Sequence, residues 1–190
     1  MVVKGLDFEH VNLVGILDAD SLLSFADFRV NERGFQLMEQ VSGRAGRKDA
    51  DGKVLIQVAN TNHPVLQFVK AHDYKSFFAS EIAGRRQFHY PPFTRLIQLI
   101  FKHKHKETVE AAALSFAESL KPVFGNYITG PAEPVVNRVR NQYLMEMILK
   151  LPKDANLLTR CREMIHAQEA AMHHHPSYKS VFMVVDVDAV

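Results

Sequence analysis

Pro91 and Pro92 stand side by side near the middle of the 190-residue chain. Each lacks a backbone N–H and disfavours helix in the residue before it, so neither a helix nor a fully paired strand can run through Tyr90-Pro91-Pro92. The chain is therefore expected to fold as two segments, residues 1–92 and 93–190. Charge does not mark this boundary: eleven basic and eleven acidic residues precede Phe93, and twelve and ten follow. The overall excess of +2 is too small to argue a nucleic-acid partner from net charge, so any such case must come from local patterns. A single cysteine, Cys161, excludes an internal disulfide and a thiolate metal cage. No run reaches the ~18 apolar residues of a membrane helix. Residues 1–8 lack the basic and then apolar pattern of a secretory leader. The composition reads as a reduced, cytoplasmic protein with no membrane partner.

In the first segment, Val11 to Leu17 is a nearly continuous apolar run, as in a strand covered on both faces. From about Glu32 to Arg44, Phe35, Leu37, Met38 and Val41 recur near helical spacing, with Asn31 placed to cap the start. A second apolar strand, Val54 to Val58, completes a parallel strand–helix–strand crossover. Helices near Pro64 to Ala71 and Tyr74 to Phe88 follow. The second segment opens with an alternating strand, Phe93 to Lys102, and a helix from about Lys106 to Phe124 closed by Gly125. Tyr127 to Thr129 and Val135 to Leu151 read as extended segments joined across Gly130-Pro131. A helix from about Ala155 to Met172 and a strand from Ser180 to Val187 finish the chain. Strand, helix, strand, strand, helix, strand is the order of a ferredoxin-like two-layer fold. The fold class is thus α/β, a partial parallel sheet followed by an α+β domain.

Gln40-Val41-Ser42-Gly43-Arg44-Ala45-Gly46-Arg47 carries the most chemical information. Arg44 and Arg47 are three apart and project from one side of a helix end, where two guanidiniums repel unless an anion lies between them. Gly43 and Gly46 remove Cβ atoms and let the backbone approach a bulky group, and Gln40 offers an amide one turn earlier. A phosphoryl group fits that description. An ordinary helix end, with arginines complementing the dipole and glycine stopping the helix, fits it too.

Gln-x-x-Gly-Arg-x-Gly-Arg resembles motif VI of superfamily 2 helicases. Lys4-Gly5-Leu6-Asp7-Phe8 and Leu17-Asp18-Ala19-Asp20 resemble motif V of the primosomal protein N′ (PriA) replication-restart helicases. Asp27-Phe28-Arg29, Glu32-Arg33, Arg85-Arg86 before Tyr90-Pro91-Pro92-Phe93, and the terminal Val185-Asp186-Val187-Asp188 are similar to the same family. The resemblance implies the later part of a RecA-like helicase lobe in residues 1–92, and in 93–190 a C-terminal domain similar to ribosomal protein S10. It implies a parent that uses ATP and Mg²⁺ to unwind DNA 3′ to 5′, meets single-stranded and forked DNA, and works with replisome-loading proteins and single-stranded DNA-binding protein. Arg44 and Arg47 would be its arginine fingers, worth about 10³ to 10⁵ in rate. Gln40 would hold the nucleotide or the attacking water. Gly43, Gly46, Gly5 and Asp7 would line the ATP side and Lys4 the DNA track. The sequence shows neither a Gly-x-x-x-x-Gly-Lys-Ser/Thr loop nor an Asp-Glu-x-His box, so this chain alone is expected to lack ATPase activity. The family's zinc site would lie in a parent segment absent here. The rival reading is a non-enzymatic module that binds DNA or a replication protein.

In the second segment, Arg138 and Arg140 alternate with Val136 and Val139 ahead of Tyr143. A continuous strand would set both guanidiniums on one face to meet phosphates, with Tyr143 stacking on a base. A solvated outer face fits the same pattern. Past Tyr143 the residues Leu144, Met145 and Glu146 stand where the family commonly has a further basic residue. Arg85 and Arg86 are expected to face solvent or to brace the joint between segments, and Asp18 and Asp20 to be structural. His103, His105 and His173-His174-His175 lack suitably spaced carboxylates, so no metal site is expected. Cys161 sits among apolar residues of the last helix and reads as a small buried hydrophobe. Two strands of a normally larger parallel sheet should leave apolar edges exposed, making residues 1–92 less stable than 93–190 or prone to self-association.

Overall fold

The computed structural model describes residues 12–25, 27–43, 45 and 52–188. The chain divides into two compact units, Met1–Gly84 and Arg85–Val190.

In the first unit, β1 (Leu13–Ile16) pairs in parallel with β2 (Lys53–Ile56), Leu13 facing Lys53 and Ile16 facing Ile56. Between them come α1 (Asp20–Leu23) and α2 (Val30–Ser42), and after them α3 (Pro64–Ala71) and α4 (Tyr74–Gln87), the last crossing the division between units. Strand, helix and parallel strand follow in the expected order. The helices earn their boundaries locally: Pro64 pre-sets the first turn of α3, where His63 Nδ1 accepts from the Val65 N–H at 3.3 Å. Asp73 Oδ1 accepts from the Ser76 N–H at 3.0 Å ahead of α4, and its hydrogen bonds from Ser76 hold the carboxyl below the usual range. The core gathers Phe35 and Met38 from α2 with Val65, Leu66 and Val69 from α3 and Phe77 from α4, the Phe35 and Phe77 rings stacking at 4.3 Å.

Two expectations need correction here. The strands are not covered on both faces: Leu13, Leu17 and Leu55 are 62%, 76% and 61% exposed, because among the described residues the sheet has only two strands. Asn31 does not cap α2. It lies inside the first turn and donates from Nδ2 to Glu81 Oε1 of α4 at 3.0 Å, while Arg29 occupies the cap position without a side-chain bond.

The second unit contains β3 (Thr94–His103), α5 (Lys106–Phe124), a 3₁₀ turn (Gly125–Tyr127), β4 (Ile128–Ala132), β5 (Arg138–Val139), β6 (Gln142–Pro152), α6 (Ala155–His174) and β7 (Phe182–Val187). The strands form one antiparallel sheet in the order β4-β6-β3-β7, with β5 paired to the start of β6. Alternation sorts each strand: Ile97, Leu99 and Phe101 of β3 and Met145, Met147, Leu149 and Leu151 of β6 are buried on the helix side. Against them α5 sets Val109, Ala112, Ala113, Phe116, Ala117, Leu120 and Phe124, a helical stripe of mixed large and small residues. Phe101 and Phe116 meet edge to face at 5.3 Å. α6 adds Cys161, Ile165 and Met172, and begins where Asp154 accepts the Leu157 N–H at 2.8 Å.

Gly125 does not close α5 by a left-handed turn: its φ of −50° continues into the 3₁₀ turn. The glycine the backbone requires is Gly130, at φ +96°, where a Cβ would lie 2.9 Å from the Glu146 carbonyl oxygen. Nor is Val135 to Leu151 a single extended segment. The chain reverses at Arg140 and Asn141, with φ of 47° and 64°, positive at both positions as a type I′ hairpin turn demands. Gly130→Ala is expected to destabilise the chain by about 1–3 kcal/mol in chemical denaturation, since it places a side chain in a strained backbone region against a fixed carbonyl. An unchanged midpoint would remove this role for Gly130.

Candidate nucleic-acid interface

Of the expected helicase-type residues, Gln40 and Gly43 fall at the end of α2, whereas Lys4, Gly5, Asp7, Arg44, Gly46 and Arg47 lie outside the described residues. Gln40 is exposed on the last turn. The Gly43 N–H closes that turn on the Glu39 carbonyl at 3.0 Å, and with φ of −67° the backbone there does not itself require glycine. The turn is held from outside by His72, whose Nδ1 meets both Glu39 carboxylate oxygens at 3.0 and 3.1 Å. His72, at the end of α3, carried no sequence signal because its partner is 33 residues away. Asp20 accepts the Ala59 N–H at 2.7 Å, a structural contact between the ends of β1 and β2.

The second unit builds a projecting hairpin from β5 and the start of β6. Arg138 and Tyr143 are cross-strand partners, and the Arg138 guanidinium lies over the Tyr143 ring at 4.9 Å. Nη2 of Arg138 also donates to Asn141 Oδ1 at 3.0 Å across the turn. Tyr143 is half-buried and packs against the core, so core, ring and guanidinium form a stack whose outermost member is the cation. Arg140 does not share a strand face with Arg138, as alternation had suggested. It occupies the first central position of the turn, because the segment folds back instead of running on. Every residue from Val135 to Asn141 is exposed, Val135 at 91%. The cluster thus offers two cations at different heights, one stacked and one at the tip.

The loop leading into this hairpin is tied down by charge. Glu133 bonds Lys106 at the start of α5, with Glu110 a further 3.6 Å neighbour of the same ammonium. Asn137 Nδ2 donates to Glu133 Oε2 at 2.9 Å, and the Asn137 carbonyl accepts the Leu144 N–H at 2.9 Å. The Lys106 hydrogen bond, followed by that of Asn137, holds the Glu133 carboxyl below its ordinary range, and Glu133 raises the Lys106 ammonium in turn.

Leu144 and Glu146 lie on the face of the sheet away from the helices, where Glu146 accepts from Gln98 Nε2 at 3.0 Å; Met145 points into the core. On that same face Lys150 reaches the Phe88 carbonyl at 3.0 Å and lies 3.7 Å from the Tyr90 ring centre. Arg85 reaches the Pro91 carbonyl at 3.4 Å, and Arg86 stacks on Phe93 at 4.9 Å, so both arginines brace the proline turn. The histidines serve turns: His103 bonds Ser180 Oγ at 3.0 Å and accepts the His105 N–H at 3.1 Å, and His175 stacks on Tyr178 at 4.2 Å. Among the described residues no group of three or more His, Cys, Asp or Glu is placed to hold a metal ion, and no helix is long and apolar enough to cross a membrane. A cavity of about 400 Å³ opens between α6 and the β3–β7 edge, lined by Ile97, Leu158, Ile165 and Val187 together with Arg95 and Arg162.

The sequence profile of the primosomal protein N C-terminal domain matches residues 86–190, which is more than half of the chain and corresponds closely to the second unit. The chain belongs to that family. Among its relatives, the replication restart protein PriA of Synechocystis sp. is 42% identical over 156 residues, that of Bacillus subtilis 38% over 159, and that of Treponema pallidum 40% over 154. These alignments cover 80%, 83% and 80% of the chain but only 18%, 20% and 23% of the relatives. The chain therefore spans about a fifth of the length of the PriA proteins it matches. Arg138, Arg140 and Tyr143 all fall within the family-matched residues, the two arginines exposed and Tyr143 half-buried beneath Arg138.

Cys161 is fully buried on α6, and burial pushes its thiol up to about 11. The folded chain should therefore resist thiol reagents at neutral pH and react on denaturation. Because the folded state holds this proton more tightly than the unfolded one, the thiol's contribution to stability is complete below about 9 and is lost as the pH rises toward 11. Rapid modification of the native chain would contradict the packing of α6.

Proposed function

We propose that this chain is part of a replication-restart helicase, and that its β5–β6 hairpin is a DNA contact. The observation that carries the reading is the exposed Arg138–Tyr143 stack with Arg140 at the tip, in a domain whose relatives are named as replication restart proteins. Guanidinium planes stack on unpaired bases and their charge pairs with phosphates, so one projecting arginine serves both parts of a single strand. In this reading Tyr143 acts chiefly by supporting Arg138, its ring being enclosed between core and cation. Arg140 meets the backbone of the same strand.

The second unit is proposed to be ferredoxin-like, supported by the order β4-β6-β3-β7 and by two helices on one face. The first is proposed to be the later part of a RecA-like lobe, supported by the parallel β1–β2 pair and by the sequence motif from Gln40 to Arg47, of which Gln40 falls in the last turn of α2. There Arg44 and Arg47 would neutralise charge developing on the γ-phosphate of ATP, and Gln40 would orient the nucleotide or water. Gly43 and Gly46, with Gly5 and Asp7, would border the nucleotide, and Lys4 the DNA track. The phosphate cradle and the Mg²⁺ ligands would come from other parts of the polypeptide, so these 190 residues alone would not turn over ATP. In this reading zinc would be held by a part of the parent polypeptide other than these 190 residues. Single-stranded and forked DNA, replisome-loading proteins and single-stranded DNA-binding protein are the proposed partners of the whole protein.

Two experiments test the two halves of this reading. In the 190-residue chain, Arg138→Ala and Arg140→Ala should each weaken binding to labelled oligothymidylate and reduce the slope of log affinity against log salt by about 0.7, one phosphate contact on a single strand. Unchanged affinity and slope in both would remove the hairpin from the interface. In the full-length parent, Arg44→Ala should abolish DNA-stimulated ATP turnover while leaving DNA binding largely intact. Normal turnover would favour a binding module without catalysis.

A further inference from the structure

Glu133 and Lys106 are each badly placed by the electrostatics of their own surroundings. Lys106 is the first residue of α5, where the helix dipole favours an anion. Glu133 lies four residues before Asn137 and five before Arg138, next to a surface assigned above to a polyanion. Together they pair, and the same carboxylate takes the Asn137 amide at 2.9 Å. The hairpin itself is weakly held: β5 contributes two residue pairs to the sheet, Arg138 with Tyr143 and Val139 with Gln142. Two pairs do not stabilise a hairpin in water, so its direction must be fixed from elsewhere. The path runs from the buried stripe of α5 through Lys106 to Glu133, then to Asn137, whose carbonyl takes the Leu144 N–H immediately before β5 begins.

We propose that Glu133 is a positioning residue: by bridging Lys106 and Asn137 it fixes the loop that aims Arg138 and Arg140 at a nucleic-acid strand. This rests on the hairpin being the DNA contact. The sign of the effect makes it testable. An acidic side chain near bound phosphates repels them, so its removal should tighten binding if it is a bystander. If it aims the hairpin, its removal should weaken binding despite the lost repulsion.

The experiment measures oligothymidylate affinity and amide exchange for the native chain, Glu133→Ala, Glu133→Gln, Lys106→Ala and the Lys106→Ala/Glu133→Ala double variant. Glu133→Ala is expected to lower affinity about twofold to fivefold, the scale of an exposed ion pair, and to speed exchange at Leu144 while core amides such as Leu99 stay protected. Glu133→Gln, which keeps an oxygen for Asn137, should fall between. The double variant should bind no worse than the weaker single, since both break one connection. Unchanged or tighter binding by Glu133→Ala, or unchanged exchange at Leu144, overturns the proposal. If Arg138→Ala and Arg140→Ala also leave affinity unchanged, the fault lies in the hairpin as DNA contact; if they weaken binding and Glu133→Ala does not, it lies in the latch alone.

Discussion

The ladder between β3 and β6 is the constraint on which the second unit depends. Its ten pairs run without a shift from Thr94 opposite Pro152 to His103 opposite Tyr143. A slip of one residue in β6 would turn Met147 and Leu149 away from α5 and bring Glu146 and Lys150 beneath it. Burial of those apolar side chains therefore fixes the register, and the register fixes where β6 outruns β3. At that end Gln142 and Tyr143 lead back into β5, so the hairpin is an outgrowth of a central strand. The position of the tip is inherited from packing in the core.

Much of this architecture was legible because it follows from local periodicity. Pro64 and Ala71 bound α3 as read, and Lys106 to Phe124 bounds α5 as read, since capping, apolar spacing and breakers agree there. The reversal at Arg140-Asn141 was not. Arg138 and Arg140 flank Val139 as they would in a continuous strand, and an arginine at positive φ is not a turn signal; Asn141 was the one local clue. The choice of Gly130 over Gly125 for the strained backbone depends on a carbonyl of β6, distant in sequence. Glu39–His72 and Lys106–Glu133 likewise join residues that only the fold brings together, so spacing could not reveal them. Arg138 and Tyr143 were each recognisable as candidate contacts, but their stacking on one another follows from the β5–β6 register.

The two units differ in how fully they enclose their apolar residues. In the second, both helices cover one sheet face, and the residues turned the other way mix charge with aliphatic surface. In the first, Leu13, Leu17 and Leu55 remain open to solvent beside a two-stranded sheet, although parallel strands are ordinarily buried on both faces. Under the proposed reading that surface meets further structure of a longer protein, which would also bring a nucleotide to the end of α2. The clamp of Glu39 by His72 keeps that helix end in place.

Nuclear magnetic resonance titration of the 190-residue chain with oligothymidylate tests the central claim most directly, because it reports every backbone amide at once. Chemical-shift changes should concentrate from Arg138 to Tyr143 and leave the buried stripe of α5 still. Saturable changes elsewhere with a silent hairpin would contradict the account.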